Sequence, residues 1–165
     1  MNKKELEELK GIGLFSSFSE EVMKDFVKAF RRVPLAGGEV LFREGEEGST
    51  FYVILSGEMA IEKKLDRGGQ KFRKLATLKP GDCFGEMAVL EGRPRFAQAR
   101  AVFAAEVVEL DRERLLGFID GHPREGASML IGIVLIMLRR LRHTSDELMA
   151  AHSFMEVLAK YNRRL

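Results

Sequence analysis

The stretch "GEVLFREGEEGSTFYVILSGEMAI" at residues 38–61 places short apolar runs between glycines. The runs 39–42, 50–55 and 58–65 have the length and apolar content of β-strands. Turn signals at Gly45, Gly48 and Gly57 separate these runs. Short strands at this spacing are typical of a β-barrel or a jelly roll. The stretch therefore predicts a β-structured centre for the chain.

The same pattern continues on the C-terminal side of this stretch. Further β-type runs lie at 71–78, 98–102 and 106–110, so that the β region extends from Arg32 to Asp111. We expect these strands to form one mainly β domain, a double-stranded β-helix jelly roll, or β-roll, over 32–111. The remaining turn signals are Gly37-Gly38, Gly68-Gly69 and Pro80-Gly81.

Helical patterns flank the β region on both sides. Residues 3–10 and 20–31 are predicted to be helices, and Ser19 followed by Glu20 and Glu21 is an N-cap signal for the second one. We expect residues 1–31 to form N-terminal helices and 112–165 to form C-terminal helices. The C-terminal helical part is interrupted near Gly121-His122-Pro123.

The last helix carries a regular apolar seam. Its positions alternate steps of four and three, the 3.5-residue period of a coiled coil. We expect this helix to mediate homodimerisation along 130–158; the alternative is a long helix that packs on its own barrel. The seam consists of Leu130, Val134, Met137, Leu141, Thr144, Leu148, Ala151, Met155 and Leu158.

Composition narrows the class of protein. The 165 residues include 27 Lys+Arg and 25 Asp+Glu, and this balance gives no whole-chain argument for binding nucleic acid or acidic lipid. The single cysteine, Cys83, cannot form an intramolecular disulfide, and no apolar signal segment follows Met1. The longest apolar run, 127–138, is shorter than the roughly 20 residues that span a bilayer. We expect a cytoplasmic protein without a membrane segment.

A second stretch, "FGEMAVLEGRPRFAQARA" at residues 84–101, has the components of an anion site. If Gly85 opens a helical turn, the unpaired backbone N–H groups of that turn can bind a phosphate that the glycine lets approach. Arg95 can add a bidentate contact to the same phosphate. The Glu86 carboxylate can accept hydrogen bonds from sugar hydroxyls. Together these residues indicate a site for a phosphorylated sugar, although a surface ion pair between Glu86 and Arg95 would also explain them.

The two stretches 38–61 and 78–95 resemble the cyclic-nucleotide-binding domains of cAMP-dependent protein kinase regulatory subunits and of the bacterial catabolite activator protein. The resemblance covers about residues 12–150 and implies a β-roll flanked by helices. It implies a phosphate-binding cassette over 84–97, which holds the cyclic phosphate and the ribose 2′-hydroxyl. The cassette residues implied as ligand contacts are Gly85, Glu86, Met87, Ala88, Arg95, Phe96 and Ala97.

The resemblance continues into the last helix through "RRLRHTSDEL" at 139–148. It implies that Thr144 and Ser145 reach the adenine amino group, one of them across the dimer. It also implies that Arg140 pairs with the ribose-binding Glu86. The ligand implied is cAMP, with cGMP as a second possibility, and no cofactor or metal is expected.

The chain departs from the family pattern at two places. Phe96 stands where the family usually has a small residue; a benzyl group pointing inward would fill the phosphate space, whereas one pointing outward could stack on a base or on the partner helix. Secondly, only residues 153–165 remain where the family's transcription factors continue into a helix-turn-helix domain, and these are too few for such a unit. We therefore expect no direct DNA binding, and a solvated basic tail at Lys160, Arg163 and Arg164.

Catalysis is not expected. The three histidines, His122, His143 and His152, all lie beyond the strands and lack the spacing of a metal site in a jelly-roll enzyme. Cys83 precedes Phe84 in a β-type run, which favours a small buried residue over a reactive thiol. The sequence thus predicts a dimeric cyclic-nucleotide sensor with an unknown downstream effector. The alternative is a ligand-independent dimeric interaction module with a degenerate pocket.

Overall fold

The computed structural model of the chain describes residues 3–65 and 71–162. The chain begins with helix α1 (Lys3–Lys10), a 3₁₀ helix (Gly13–Phe15) and helix α2 (Glu20–Ala29). The Ser19 hydroxyl caps α2, as expected, by accepting a hydrogen bond from the Val22 N–H at 3.2 Å. The turn expected at Gly68-Gly69 and the basic residues Arg163 and Arg164 lie outside the described residues.

Within the described residues, eight antiparallel strands form two four-stranded sheets that pack face to face, which confirms the predicted jelly-roll class. One sheet has the order β1-β8-β3-β6 and the other β2-β7-β4-β5. Helix α3 (Glu86–Glu91) is inserted between β6 and β7. The strands are β1 (Arg31–Leu35), β2 (Val40–Phe42), β3 (Thr50–Ser56), β4 (Met59–Lys64), β5 (Phe72–Leu78), β6 (Cys83–Phe84), β7 (Gln98–Ala101) and β8 (Ala105–Asp111).

Strand β1 and the two-residue strand β6 were not among the six predicted runs, and α2 ends at Ala29 rather than at residue 31. The sequence of β1 includes two arginines and Pro34, which conceal the strand pattern. Its place explains this composition, because β1 is an edge strand and only its β8 side needs backbone donors and acceptors. A proline is tolerated at an edge, where a missing N–H leaves no ladder bond open.

Two helices follow the sandwich. Asp111 caps α4 (Arg112–Gly121) by accepting from the Arg114 N–H at 2.8 Å, and α5 (Pro123–Asn162) begins after the expected break at 121–123. The N-terminal part of α5 buries Met129, Ile133 and Ile136. Residues 141–161 of α5 are all exposed, and at 1.5 Å per residue this segment extends about 30 Å. None of the helices in the described residues is long and apolar enough to cross a membrane.

The core has two parts. One lies inside the sandwich and includes Tyr52, Ile54, Met59, Phe84 and Val107. The other lies between the β1-β8-β3-β6 sheet and the helices, where the aromatic rings of Phe15, Phe18, Phe26 and Phe118 pack against one another with centroids 4.8–5.6 Å apart. The second part includes the buried residues of α5 and therefore attaches α5 to the β-roll.

Cys83 is fully buried in β6, as the sequence predicts. Burial, with the nearby Glu86 carboxylate as a smaller cause, raises the pKa of the Cys83 thiol to about 12. Because the thiolate is the reactive form, the native protein has almost none of it at neutral pH.

We expect an aromatic disulfide reagent at pH 8 to label native protein slowly, at a rate limited by unfolding. Labelling in concentrated urea should be fast and reach one thiol per chain, which absorbance of the released thiol measures. The denatured chain is the control for reagent quality. Fast stoichiometric labelling of the native chain would contradict the burial of Cys83.

Candidate functional site

A cavity of about 220 Å³ opens between the β2-β7-β4-β5 sheet, helix α3 and the middle of α5. Nine of the ten predicted ligand-contacting residues line it: Gly85, Glu86, Met87, Ala88, Arg95, Phe96, Ala97, Arg140 and Thr144. The tenth, Ser145, does not line the cavity and donates its hydroxyl to the Leu141 carbonyl at 2.9 Å.

Arg95 lies in the loop between α3 and β7, and its side chain is almost fully buried. Its Nη1 donates to the Thr50 carbonyl at 2.8 Å and to the Gly85 carbonyl at 3.3 Å. The guanidinium lies over the Phe42 ring, 4.2 Å from its centroid, and 5.6 Å from the Tyr52 centroid. These contacts fix the position of the guanidinium between two aromatic rings and two backbone carbonyls.

The charge of Arg95 has no carboxylate partner among the described residues. Its Nε is buried and makes no hydrogen bond within residues 3–65 and 71–162. Burial lowers the pKa of Arg95, which means that the surroundings disfavour its charged form. A buried charge is stable only when it is paired and hydrogen-bonded. The site therefore has a buried positive charge at the cavity that forms no salt bridge with a carboxylate of the described residues, and this arrangement favours the binding of an anion.

Two glycines make room for the guanidinium. A Cβ on Gly48 would lie 2.3 Å from Arg95 Nε. Gly85 has a φ of +79°, and a Cβ there would lie 2.8 Å from both Arg95 Nη1 and the Thr50 carbonyl oxygen. Gly85 therefore satisfies two constraints at once, a left-handed backbone at the start of α3 and a close approach of Arg95.

Glu86 is buried in the first turn of α3, and its Oε1 accepts from Arg140 Nη1 of α5 at 3.3 Å. The ion pair expected between these two residues is therefore present. Arg140 Nη2 also donates to the Cys83 carbonyl. Because Arg140 uses one nitrogen for each contact, it ties α5 to both β6 and α3 at the edge of the cavity. The other oxygen of the Glu86 carboxylate remains an acceptor for a ligand.

Phe96 does not occupy the phosphate space. Its ring is 52% exposed and lies at the rim of the cavity. Lys63 holds it there: the ammonium lies 3.9 Å from the ring centroid and donates to the Phe96 carbonyl at 2.6 Å. Glu44 in turn pairs with Lys63 at 3.2 Å. The sequence allowed the benzyl group of Phe96 to point into the cavity or outward, and in the structure it points outward.

The sequence reasoning missed the apolar wall of the cavity and one polar residue of α5. Most of the wall consists of inward-facing strand residues, which alternation within each strand can identify. Leu75 is an exception, because it is adjacent to Ala76 and is 42% exposed. Alternation cannot tell which of them surround the cavity, because that depends on how the strands pair. The residues missed are Phe42, Ile61, Leu75, Ala76, Leu78, Phe84 and His143.

Coordination of a metal ion by side chains would require a cluster of suitable ligands. Among residues 3–65 and 71–162, no three His, Cys, Asp or Glu side chains lie close enough together to coordinate one.

Comparison with known proteins supports this reading of the cavity. Residues 32–122 match the model of the cyclic nucleotide-binding domain. The chain is 33% identical over 140 residues to the cyclic AMP receptor protein of Thermus thermophilus, an alignment that covers 85% of this chain and 62% of the relative. It is 28% identical over 136 residues to the CRP-like cAMP-activated global transcriptional regulator of Mycobacterium tuberculosis, covering 82% of this chain and 58% of the relative. The chain thus spans about three fifths of the length of these curated relatives.

A solved structure shows the same fold over most of both chains. It is a cyclic nucleotide-binding domain from Methylobacillus flagellatus KT, with a TM-score of 0.78 and 24% sequence identity. The match covers 88% of this chain and 83% of the other. The β-roll and its flanking helices are therefore an arrangement that is also seen in a solved structure.

The two constraints on Gly85 can be separated by comparing Gly85→Ala with Gly92→Ala. Gly92 ends α3 with a φ of +67°, but a Cβ there would contact nothing. We expect Gly92→Ala to lower the free energy of unfolding by about 1 kcal/mol through backbone strain alone. Gly85→Ala should lose roughly 2–4 kcal/mol, because its methyl group also meets Arg95 and the Thr50 carbonyl. Urea denaturation measures both values, and equal losses would show that the contact with Arg95 is unimportant.

Proposed function

Because the chain belongs to the cyclic nucleotide-binding domain family, we propose that its cavity binds a cyclic nucleotide, cAMP in preference to cGMP, and that the protein acts as a dimeric sensor. The observation that carries the proposal is the buried guanidinium of Arg95, which faces the cavity without a carboxylate partner. A cyclic phosphate carries one negative charge and two exocyclic oxygens, which suit a guanidinium that has free N–H groups.

The order of the lining residues along the cavity suggests where the ribose and the base of the nucleotide would lie. With the phosphate on Arg95, the free oxygen of Glu86 is the acceptor for the ribose 2′-hydroxyl. The apolar wall from β4 and β5 suits the faces of a purine base. Thr144 of α5 lines the same cavity and would contact the polar edge of the base. Ser145 points away from the cavity of its own chain, and its proposed base contact is to the nucleotide in the partner subunit.

The proposed role is sensing rather than catalysis. A nucleotide in the cavity would contact α3 through Glu86 and α5 through Thr144, and these elements are already joined by the Arg140 ion pair. A ligand can shift a conformational equilibrium only if it contacts the two states differently, and a ligand bound between α3 and α5 meets that requirement. The downstream effector is unknown. The expected absence of direct DNA binding stays a prediction, since the relatives include a protein named as a transcriptional regulator.

Substitution of Arg95 tests the site. We expect Arg95→Ala to remove a charge-assisted phosphate contact of about 1.5–3 kcal/mol and so to weaken cAMP binding roughly ten- to hundredfold in calorimetric titration. Arg93→Ala is the matched control, because Arg93 is an exposed arginine of the same loop that pairs with Glu91 at 3.7 Å and does not line the cavity. The control should bind cAMP like the wild type. Unchanged affinity in Arg95→Ala would place the phosphate elsewhere.

The dimer is proposed from the exposed segment of α5. A helix of this length with no packing is marginal in water, and most helical stability in proteins comes from a packed apolar face. The seam side chains Leu141, Leu148 and Met155 are 63%, 69% and 58% exposed in the single chain. A second copy of α5, paired in parallel along 130–158, would bury these side chains as the core positions of a coiled coil.

A charge placed in the seam should prevent this pairing. We expect Leu141→Asp combined with Leu148→Asp to sediment as a monomer at concentrations where the wild type is a dimer, because pairing would bury uncompensated charges. The control is Ser153→Asp combined with Lys160→Asp, which introduces two aspartates on the opposite face of the exposed segment and should leave the dimer intact. A wild type that sediments as a monomer, or a dimeric seam variant, would refute the proposal.

A further inference from the structure

The proposed nucleotide contacts leave one polar side chain of the cavity lining, His143, without a role. With Arg95 on the phosphate and Glu86 on the sugar, the polar side chains left along the lining are Arg140, His143 and Thr144. Arg140 is already committed to Glu86 and the Cys83 carbonyl. Within one chain, His143 and Thr144 are therefore the two cavity-lining side chains available to the polar edge of a base.

His143 lies at the mouth of the cavity, next to Thr144 and one turn beyond Arg140 on α5. Its imidazole is 74% exposed, and its Nε2 lies 3.4 Å from Oε1 of Glu147. Glu147 accepts from a protonated Nε2, which leaves Nδ1 as the second polar atom of the ring. The other charged groups that face this part of the cavity are Arg140 on α5, Glu86 on α3 and Arg95 in the loop that follows.

Histidine is the side chain that ordinarily changes charge between pH 5 and 8, and protonation changes its hydrogen-bonding capacity. A neutral imidazole has one donor and one acceptor, whereas an imidazolium has two donors and no acceptor. Adenine presents a donor and an acceptor side by side, at N6 and N7, whereas guanine presents two acceptors, at O6 and N7. A neutral histidine therefore suits the amino group of adenine, and a protonated one suits guanine.

We infer that His143 reads the base of the bound nucleotide and that its protonation shifts the preference of the site from adenine towards guanine as the pH falls. The inference rests on the proposed function, since it assigns a role within the same cavity. Thr144 carries a hydroxyl that donates or accepts and so adapts to either base, which leaves the choice to His143. Glu147 is a positioning residue, because it holds Nε2 and so directs Nδ1.

The test is the ratio of the cGMP and cAMP dissociation constants, measured by calorimetric titration of the full chain at pH 5.5, 6.5, 7.5 and 8.5. In the wild type we expect the preference for cAMP at pH 8.5 to fall roughly three- to tenfold by pH 5.5. In His143→Gln the ratio should be the same at all four pH values, because glutamine donates and accepts without titrating. A ratio uses one protein sample for both ligands, so a general effect of pH on the fold cancels.

His152→Gln is the matched control. His152 lies on the same helix, and its Nε2 lies 3.4 Å from Oε1 of Glu156, but it is not part of the cavity lining. This variant should keep the pH dependence of the wild type. Glu147→Gln should also change the pH dependence of the ratio while both nucleotides still bind.

The outcomes separate this inference from the proposed function. If the wild type binds neither nucleotide at any pH, the proposed function is refuted and the inference with it. If the wild type binds them with a ratio that does not change with pH, or if His143→Gln retains the pH dependence, only the inference is overturned. A pH-dependent ratio that His143→Gln abolishes and His152→Gln preserves supports it.

Discussion

The burial of an unpaired guanidinium is the constraint on which the site depends. Arg95 lies between the rings of Phe42 and Tyr52, and its Nη1 donates to two backbone carbonyls. Neither set of contacts neutralises its charge, and Nε has no partner at all among the described residues. Gly48 and Gly85 keep the volume around it clear. A protein that only needed stability would be better served by an apolar residue here, because a buried charge costs free energy. The ligand that supplies the missing negative charge would recover that cost, which is the thermodynamic basis of selective binding.

The second organising feature is the attachment of α5 to the β-roll. Apolar packing holds the helix as far as Ile136, and the contacts of Arg140 with Glu86 and the Cys83 carbonyl come one turn later. From 141 onwards no residue up to 161 is buried. The cavity lies where attachment ends, so a ligand there meets the helix at the boundary between its fixed and its free parts. Thr144 and His143, which line the cavity, are therefore among the first residues of the free part.

Much of this fold was predictable from the sequence, and the exceptions have physical reasons. Six strands, the capped helix α2 and the break at 121–123 follow from periodicity and turn chemistry, which are local. Strand β1 was not predicted because an edge strand tolerates charged residues and proline, which are uncommon in central strands. Its sequence contains two arginines and Pro34, and a proline ordinarily indicates the end of a strand. The resemblance of the cassette supplied the site residues, and the cavity contains all of them except Ser145. The side on which Phe96 lies was not predictable, because it depends on Lys63, which is 33 residues away in sequence and lies on strand β4.

The free part of α5 also has a mechanical consequence. A helix fixed at one end is a lever whose pivot lies near Arg140, and its far end at Tyr161 is about 30 Å away. A tilt of about 10° at the pivot moves that end by roughly 5 Å. Ångström-scale adjustments around a small ligand would thus be amplified into displacements of the C-terminal end of α5 as large as the rise of one helical turn. Any structure that contacts this end would be displaced with it.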